Sequence, residues 1–234
     1  MRNPVKLARR RRQRVAHETA CRQLSPTARQ VIAEHLTYLT PERLGSLERC
    51  AREAPPGDFV EAGVALGGSA VVLASLIGEE RQFHGYDVFG QIPEPGADDP
   101  PEAHERFAEI AEHRAEGIEG EYYGYISDLQ AQVEDTLRRH SVEVGERVQL
   151  HPGLYEEAFW PERPVALAHI DCDWHDSVKV CLERVWPVLV PGGWLVVDDY
   201  FDWEGCRRAV DAFVADRPIS VAARPGNLVL QRDG

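Results

Sequence analysis

From residue 58 onward, short apolar runs alternate with amphipathic stretches, the pattern of strands joined by crossover helices into a mostly parallel sheet. DFVEAGV (58–64) predicts a first strand, followed by the small-residue turn ALGGS and an apolar helix over 69–78. QFHGYDVF (82–89), RVQLHPG (147–153), ALAHIDCD (166–173) and GGWLVVDDY (192–200) predict four more strands. Between the last two, SVKVCLERVWPVLV places Val178, Val180, Cys181, Val185 and Val188 at near-helical spacing, and Pro191-Gly192-Gly193 is expected to end that helix. The chain closes on ISVAARPGNLVLQRD, two apolar runs about Pro225-Gly226 that read as a hairpin and so make the last strand antiparallel. The expected fold class is α/β, a doubly wound sheet with an antiparallel C-terminal strand.

Before the first strand, SPTARQVIAEHLTYL and TPERLGSLERCAREA each begin with a hydroxyl N-cap and a proline in the first turn, then show helical spacing. They predict two helices packed on the sheet edge or on a second subunit. Residues 90–125 differ from their surroundings. Rich in proline and acid, they follow the second strand directly, where open α/β sheets place ligand-contacting loops. Phe107, Ile110, Tyr122, Tyr123 and Tyr125 give the segment enough apolar surface to fold as a partly helical lid.

Length, composition and charge narrow the function. At 234 residues with 43% hydrophobic and 28% charged positions, a single globular domain over 23–234 is expected. No run approaches a membrane span, and the N-terminus lacks the apolar core of a secretory signal, so a cytoplasmic protein is expected. Five scattered cysteines (Cys21, Cys50, Cys172, Cys181, Cys206) form no CxxC pair and read as reduced thiols. The net charge is −13, but residues 1–22 hold eight basic residues against Glu18 alone, which leaves −20 on the remainder. An acidic body disfavours nucleic acid as a partner, and the basic run is expected to be a flexible arm.

Two groups of residues carry candidate chemistry. The first is Glu61-Ala-Gly-Val-Ala-Leu-Gly-Gly-Ser69, an acid inside an apolar strand followed by clustered glycines, with Asp87 at the end of the next strand. Such a turn lets a ligand approach the backbone, and an acid on the second strand can hold a ribose diol. The second is Asp171 and Asp173 with Asp198-Asp199, at the carboxyl ends of two apolar strands. If those strands are parallel neighbours, four carboxylates crowd one sheet edge, which calls for protonation or a cation. All-oxygen ligation favours Mg²⁺, with Mn²⁺ or Ca²⁺ as alternatives. Adjacent strand residues face opposite ways, so Asp198 and Asp199 can share one ion only if the chain leaves strand geometry there.

DFVEAGVALGGS, YDVFGQIPEP, HIDCDWHDS and PGGWLVVDDY, in this order and at these separations, resemble the macrocin-type (TylF/MycF) family of metal-dependent sugar O-methyltransferases. The resemblance runs from about Arg43 to Phe213. It implies a class I methyltransferase fold, a homo-oligomer and S-adenosylmethionine as cofactor. Glu61, Gly63 and Ser69 are then expected near the methionine part of the cofactor and Asp87 on the ribose, with Gly67, Gly68 and Gly153 completing the cofactor set. It further implies Mg²⁺ on Asp171, Asp198 and Asp199, and Asp173 as general base, with Asp171 counted in the catalytic group. The family's usual Asp-Gly-Asp-Leu-Tyr-Glu-Ser stretch appears here as Asp171-Cys172-Asp173-Trp174-His175-Asp176-Ser177, and His175 is an alternative base. The implied activity is methylation of a sugar or polyol hydroxyl in a small natural product. A hydroxylase on the same fold and a non-catalytic cofactor-binding subunit are the competing readings.

Overall fold

A computed structural model describes residues 19–224 and 226–234, so most of the basic N-terminal run lies outside the described residues. Seven strands form one sheet: β1 (Asp58–Ala62), β2 (Phe83–Asp87), β3 (Val148–Pro152), β4 (Val165–Ile170), β5 (Leu189–Val197), β6 (Ile219–Ala223) and β7 (Leu228–Arg232). Their order is β3-β2-β1-β4-β5-β7-β6. β1 to β5 run parallel, and β7 is inserted antiparallel between β5 and β6. The C-terminal hairpin thus forms as expected, with its second strand taking the inner place.

Alternation along the strands feeds two cores. Phe59, Phe83, Leu167, Val196 and Val229 point to one face, covered by α1 (Pro26–Ala33), α2 (Pro41–Glu53), α3 (Gly68–Ala74) and α5 (Leu129–Arg139). Val60, Ala62, Ala168, Ile170, Leu195, Val197 and Leu230 point to the other, under α6 (Tyr155–Ala158), α7 (His175–Val185) and α8 (Glu204–Val214). The two N-terminal helices form as their caps predict, with the Ser25 hydroxyl accepting from Ala28 N–H and Thr40 from Arg43 N–H. Their place differs from the expectation. α1 packs on α3, and Leu44 and Leu47 of α2 join the core against the sheet face, because their apolar stripes find a broader apolar surface there than at the edge.

Element ends also shift. α7 stops at Val185 because Pro187 cannot continue it, and β5 then starts at Leu189, so Pro191-Gly192-Gly193 lies inside a strand. β4 ends at Ile170, which leaves Asp171 and Asp173 beyond the strand. α4 (Pro101–Ala111) and a 3₁₀ turn at Tyr123–Tyr125 supply the helical part of the lid. No helix among the described residues is long and apolar enough to cross a membrane.

Candidate active site

The chain leaves β1 toward β2 on one side and β4 toward β5 on the other, so the crevice beyond their carboxyl ends is the switch point of the sheet. Gly63 and Asp171 meet there. Gly63 has φ +96°, and a Cβ on it would lie 1.7 Å from the Asp171 carbonyl oxygen. The ladder continues one step past the strands, with Asp171 N–H donating to Ala62 O (2.8 Å) and Asp198 N–H to Ile170 O (3.0 Å).

Asp198 departs from strand geometry at φ −74°, ψ −49°, and Asp199 opens a 3₁₀ turn. This break meets the condition for the two adjacent aspartates to turn toward one point. One carboxylate oxygen each from Asp171, Asp198 and Asp199 lies within 4.8 Å of the others. Arg43 of α2 donates from Nη1 to Asp198 Oδ2 (2.6 Å) and from Nη2 to Asp202. Asp198 Oδ1 is buried with no partner among the described residues. An orphaned anionic oxygen beside two further carboxylates is an all-oxygen donor set, and it fits a hard divalent cation.

Asp173 completes the cluster from a left-handed conformation (φ +57°). Its N–H donates to Asp199 Oδ2 (3.0 Å), and its Oδ1 accepts from the Trp203 indole N–H (2.8 Å). Burial first, and then the neighbouring carboxylates, push Asp171 and Asp199 well above the usual carboxylate range. Burial likewise lifts Asp173 to about 6, against the Trp203 hydrogen bond, and raises Asp198. Four carboxylates crowded in one dry place thus each hold a proton more tightly than they would in water.

Above the acids lies a cavity of about 260 Å³. Arg43, Arg106, Ile110, Tyr122, Tyr123 and Trp203 form much of its wall. The lid is anchored to this wall at several points. Trp174 Nε1–H donates to Pro93 O (2.9 Å), and Asp99 accepts from Gly96 N–H and from His175 N–H. Asp99 therefore caps α7 from the lid.

The expected cofactor residues divide. Gly63 and Asp87 border one small cavity with Tyr123, Tyr155 and Asp173, continuous in lining with the acid cavity through Gly63, Ile92, Tyr123, Asp171 and Asp173. Asp87 Oδ2 accepts from Val64 and Ala65 N–H, and Oδ1 from Phe89 N–H, so this carboxylate also ties the β1 turn to β2. Glu61 lies fully buried one layer below, accepting from His169 Nδ1 (2.8 Å), with Glu61 Oε2 and His169 Nε2 left unpartnered among the described residues. Gly67 (φ +88°) and Gly68 border neither cavity. A Cβ on them would meet Val133 at 3.1 Å and Leu36 O at 2.4 Å, so their smallness serves helix packing. Ser69 is buried in α3 and borders neither cavity. Gly153 is joined to β2 by its N–H to Asp87 O (3.0 Å) and lines neither cavity. His175 is also absent from both linings. Its ring pairs with Asp176 (2.8 Å) and faces a groove with Lys179 and Arg217.

Arg43, Arg106, His169 and Trp203 lie outside the four sequence motifs or carry no chemistry within them that marks a site. Arg43 is 155 residues from Asp198, and nothing local distinguishes it from the other arginines of an arginine-rich chain. For His169 a signal existed, since an ionisable residue inside the apolar run ALAHI needs a buried partner.

A model of the macrocin O-methyltransferase (TylF) family matches residues 7–223. The chain is 29% identical over 184 residues to the 8-demethyl-8-(2,3-dimethoxy-alpha-L-rhamnosyl)-tetracenomycin-C 4'-O-methyltransferase of Streptomyces olivaceus, covering 74% of this chain and 66%, just under two thirds, of that protein. It is 26% identical over 201 residues to the demethyldecarbamoylnovobiocin O-methyltransferase of Streptomyces niveus, covering 79% and 72%. The solved structure of the O-methyltransferase NovP aligns with a TM-score of 0.67 at 24% identity, over 85% of this chain and 83% of that one, which shows the class I methyltransferase fold. With that fold and a family match across nearly its whole length, this chain belongs to the macrocin O-methyltransferase family.

Proposed function

We propose that this protein is an S-adenosylmethionine- and Mg²⁺-dependent O-methyltransferase acting on a sugar or polyol hydroxyl of a small natural product. The observation that carries the reading is the convergence of Asp171, Asp198 and Asp199 beside Asp173, at the switch point and within one aromatic-walled cavity. When bound, S-adenosylmethionine supplies an electrophilic methyl group and a divalent ion acidifies and orients the acceptor hydroxyl. Asp171, Asp198 and Asp199 would hold the ion, and Arg43 holds Asp198 through Oδ2 while its buried Oδ1 is left without a partner among the described residues. Asp173 takes the acceptor's proton. Its Oδ1 is held by Trp203, and its Oδ2 carries no hydrogen bond among the described residues, so the carboxylate is oriented without being blocked. His175 is the weaker candidate for this step because its ring lies outside the cavity.

A cavity near the small end of ligand pockets suits a single sugar ring better than a whole polycyclic product. Tyr122, Tyr123 and Trp203 offer flat apolar walls with polar tips, which match a ring carrying C–H faces and hydroxyl edges. The relative from Streptomyces olivaceus, named for methylation of a rhamnosyl unit, supports the same acceptor class. A cytoplasmic setting accords with five unpaired thiols, and a homo-oligomer follows the family resemblance.

The deciding experiment pairs calorimetry with product mass on wild type and Asp198→Asn. Wild type is expected to bind S-adenosylhomocysteine and to add one methyl group to glycosylated acceptors. The variant should lose turnover while binding S-adenosylhomocysteine within about threefold of wild type, a small change on a free-energy scale. Retained turnover with lost cofactor binding would overturn this assignment of roles.

A further inference from the structure

The lid carries one charged group into the acid cavity to which the methyl-transfer reading gives no role. Along α4 the inward stripe is Ala103, Arg106 and Ile110, at i, i+3 and i+7, with Ala103 and Ile110 buried and Arg106 half-buried. A guanidinium thus stands where the periodicity of the helix calls for an apolar side chain, and it lines the cavity together with Asp173 and Trp203. Its Cζ lies over the Tyr122 ring, 5.8 Å from the centroid. Its charge also favours ionisation of Asp173, Tyr122 and Tyr38, which sets it among these three on the lid side of the cavity.

The two arginines of this cavity differ in what they can still bind. Arg43 has both terminal nitrogens on carboxylates, those of Asp198 and Asp202. Arg106 makes one ion pair, from Nη1 to Glu109 Oε2 at 3.1 Å, within its own helix and with 35% and 47% of the two side chains exposed. A pair so open to water is weak and easily exchanged. The N–H groups on Nε and Nη2 of Arg106 have no partner among the described residues.

We propose that Arg106 is a specificity-determining residue, whose free N–H groups donate to an oxygen of the acceptor ring next to the hydroxyl that meets Asp173. The inference rests on the methyl-transfer reading of the site. A guanidinium donates and never accepts, so its partner is a neighbouring hydroxyl or ether oxygen. An ionised acceptor group is disfavoured, because Asp171, Asp173, Asp198 and Asp199 line the same cavity. With the acids at one edge of the ring and Arg106 at the other, two polar points and the flat Tyr122 and Tyr123 walls fix which hydroxyl faces the base. An acceptor that lacks the second oxygen leaves a charged donor unpaired in the cavity and binds less well.

The test is calorimetric titration of methyl α-L-rhamnopyranoside and its monodeoxy analogues into the full-length chain, with S-adenosylhomocysteine and Mg²⁺ present, for wild type, Arg106→Met and Glu109→Gln. Wild type is expected to bind the parent glycoside about tenfold more tightly than one analogue, the one without the oxygen that Arg106 meets. Arg106→Met should bind the parent and that analogue alike, both about as weakly as wild type binds the analogue. Its affinity for S-adenosylhomocysteine and its circular dichroism should match wild type, which separates a lost contact from a lost fold. Glu109→Gln removes only the pair within the helix and should keep the wild-type preference. Product mass reads the reaction separately: this binding pattern without methyl addition would fail the methyl-transfer reading and leave Arg106 as the group that recognises the ring. Equal affinity of wild type and Arg106→Met for the parent glycoside, none in either included, would overturn the proposal, as would a preference that survives in Arg106→Met. Tighter binding of a methyl glucuronide than of the rhamnoside, lost in Arg106→Met, would show that Arg106 reads an anion and would overturn it too.

Discussion

At Gly63 a single missing methyl group decides whether the crevice exists. The residue combines a left-handed backbone with a carbonyl 1.7 Å from where Cβ would be, so no rotamer or small shift accommodates alanine. Gly63→Ala is expected to cost about 3 kcal/mol or more, read as a lower denaturation midpoint. Gly78→Ala, at a positive φ but with nothing within 4 Å, should cost clearly less. Asp173 and Trp203 make a second test at this scale. Asp173→Asn should lower kcat by roughly 10²-fold or more with little change in cofactor affinity. Trp203→Phe removes one hydrogen bond to the proposed base, Asp173, and should lower kcat by about tenfold. A Trp203→Phe enzyme with full kcat would show that the indole does not position Asp173. The acids were legible as residues because carboxylates at the ends of apolar strands need an explanation. The roles of the glycines were not, because turn, packing and ligand approach all use the same residue and only its surroundings tell them apart.

At the scale of elements, the lid is held by contacts that local pattern does not reveal. The Tyr125 hydroxyl donates to Ile110 O (2.8 Å) and accepts from Ala115 N–H (3.2 Å), closing the segment after α4 into a loop over the cavity. The apolar knot of Ile110, Ala115 and Tyr122 beneath it is small, so these hydrogen bonds form a large share of its order. Tyr125→Phe should loosen 110–125 by about 1–2 kcal/mol, seen as faster amide exchange there with the sheet unchanged. Equal protection in both proteins would place the lid's order elsewhere. The strands and capped helices could be read from periodicity and cap residues, since each depends on its own few residues. Three features depended on distant segments and could not be read. Arg43 reaches Asp198 from α2, Asp99 caps α7 from the lid, and β7 takes the place beside β5 because Leu228, Val229 and Leu230 are buried while β6 remains largely exposed.

For the molecule as a whole, the carboxylate cluster links site chemistry to global stability. Asp171, Asp173, Asp198 and Asp199 face one another, with Glu61 below and Asp202 beside them, against Arg43, Arg106 and the Glu61-bonded His169. Their folded-state pKa values are raised, so between about pH 4 and neutrality the native metal-free protein holds more protons than the unfolded chain. Stability of the metal-free protein should therefore fall as pH rises through that window, the reverse of the usual ion-paired carboxylate. A divalent ion binds the deprotonated form, so its stabilisation should grow over the same range. At a hundredfold excess over its dissociation constant, Mg²⁺ should add about 2.7 kcal/mol, or roughly 5–10 °C in Tm for a chain of this size. The shift should be larger at pH 8 than at pH 6. In Asp199→Asn the metal-free protein should melt higher than wild type, because one repelling charge is gone, and in both Asp198→Asn and Asp199→Asn Mg²⁺ should no longer raise Tm. Scanning calorimetry at the two pH values, with and without Mg²⁺, measures all of these together. A Tm that rises with Mg²⁺ equally in wild type and both variants would place the ion outside the cluster, and the site's acids would then have to be held by protons alone.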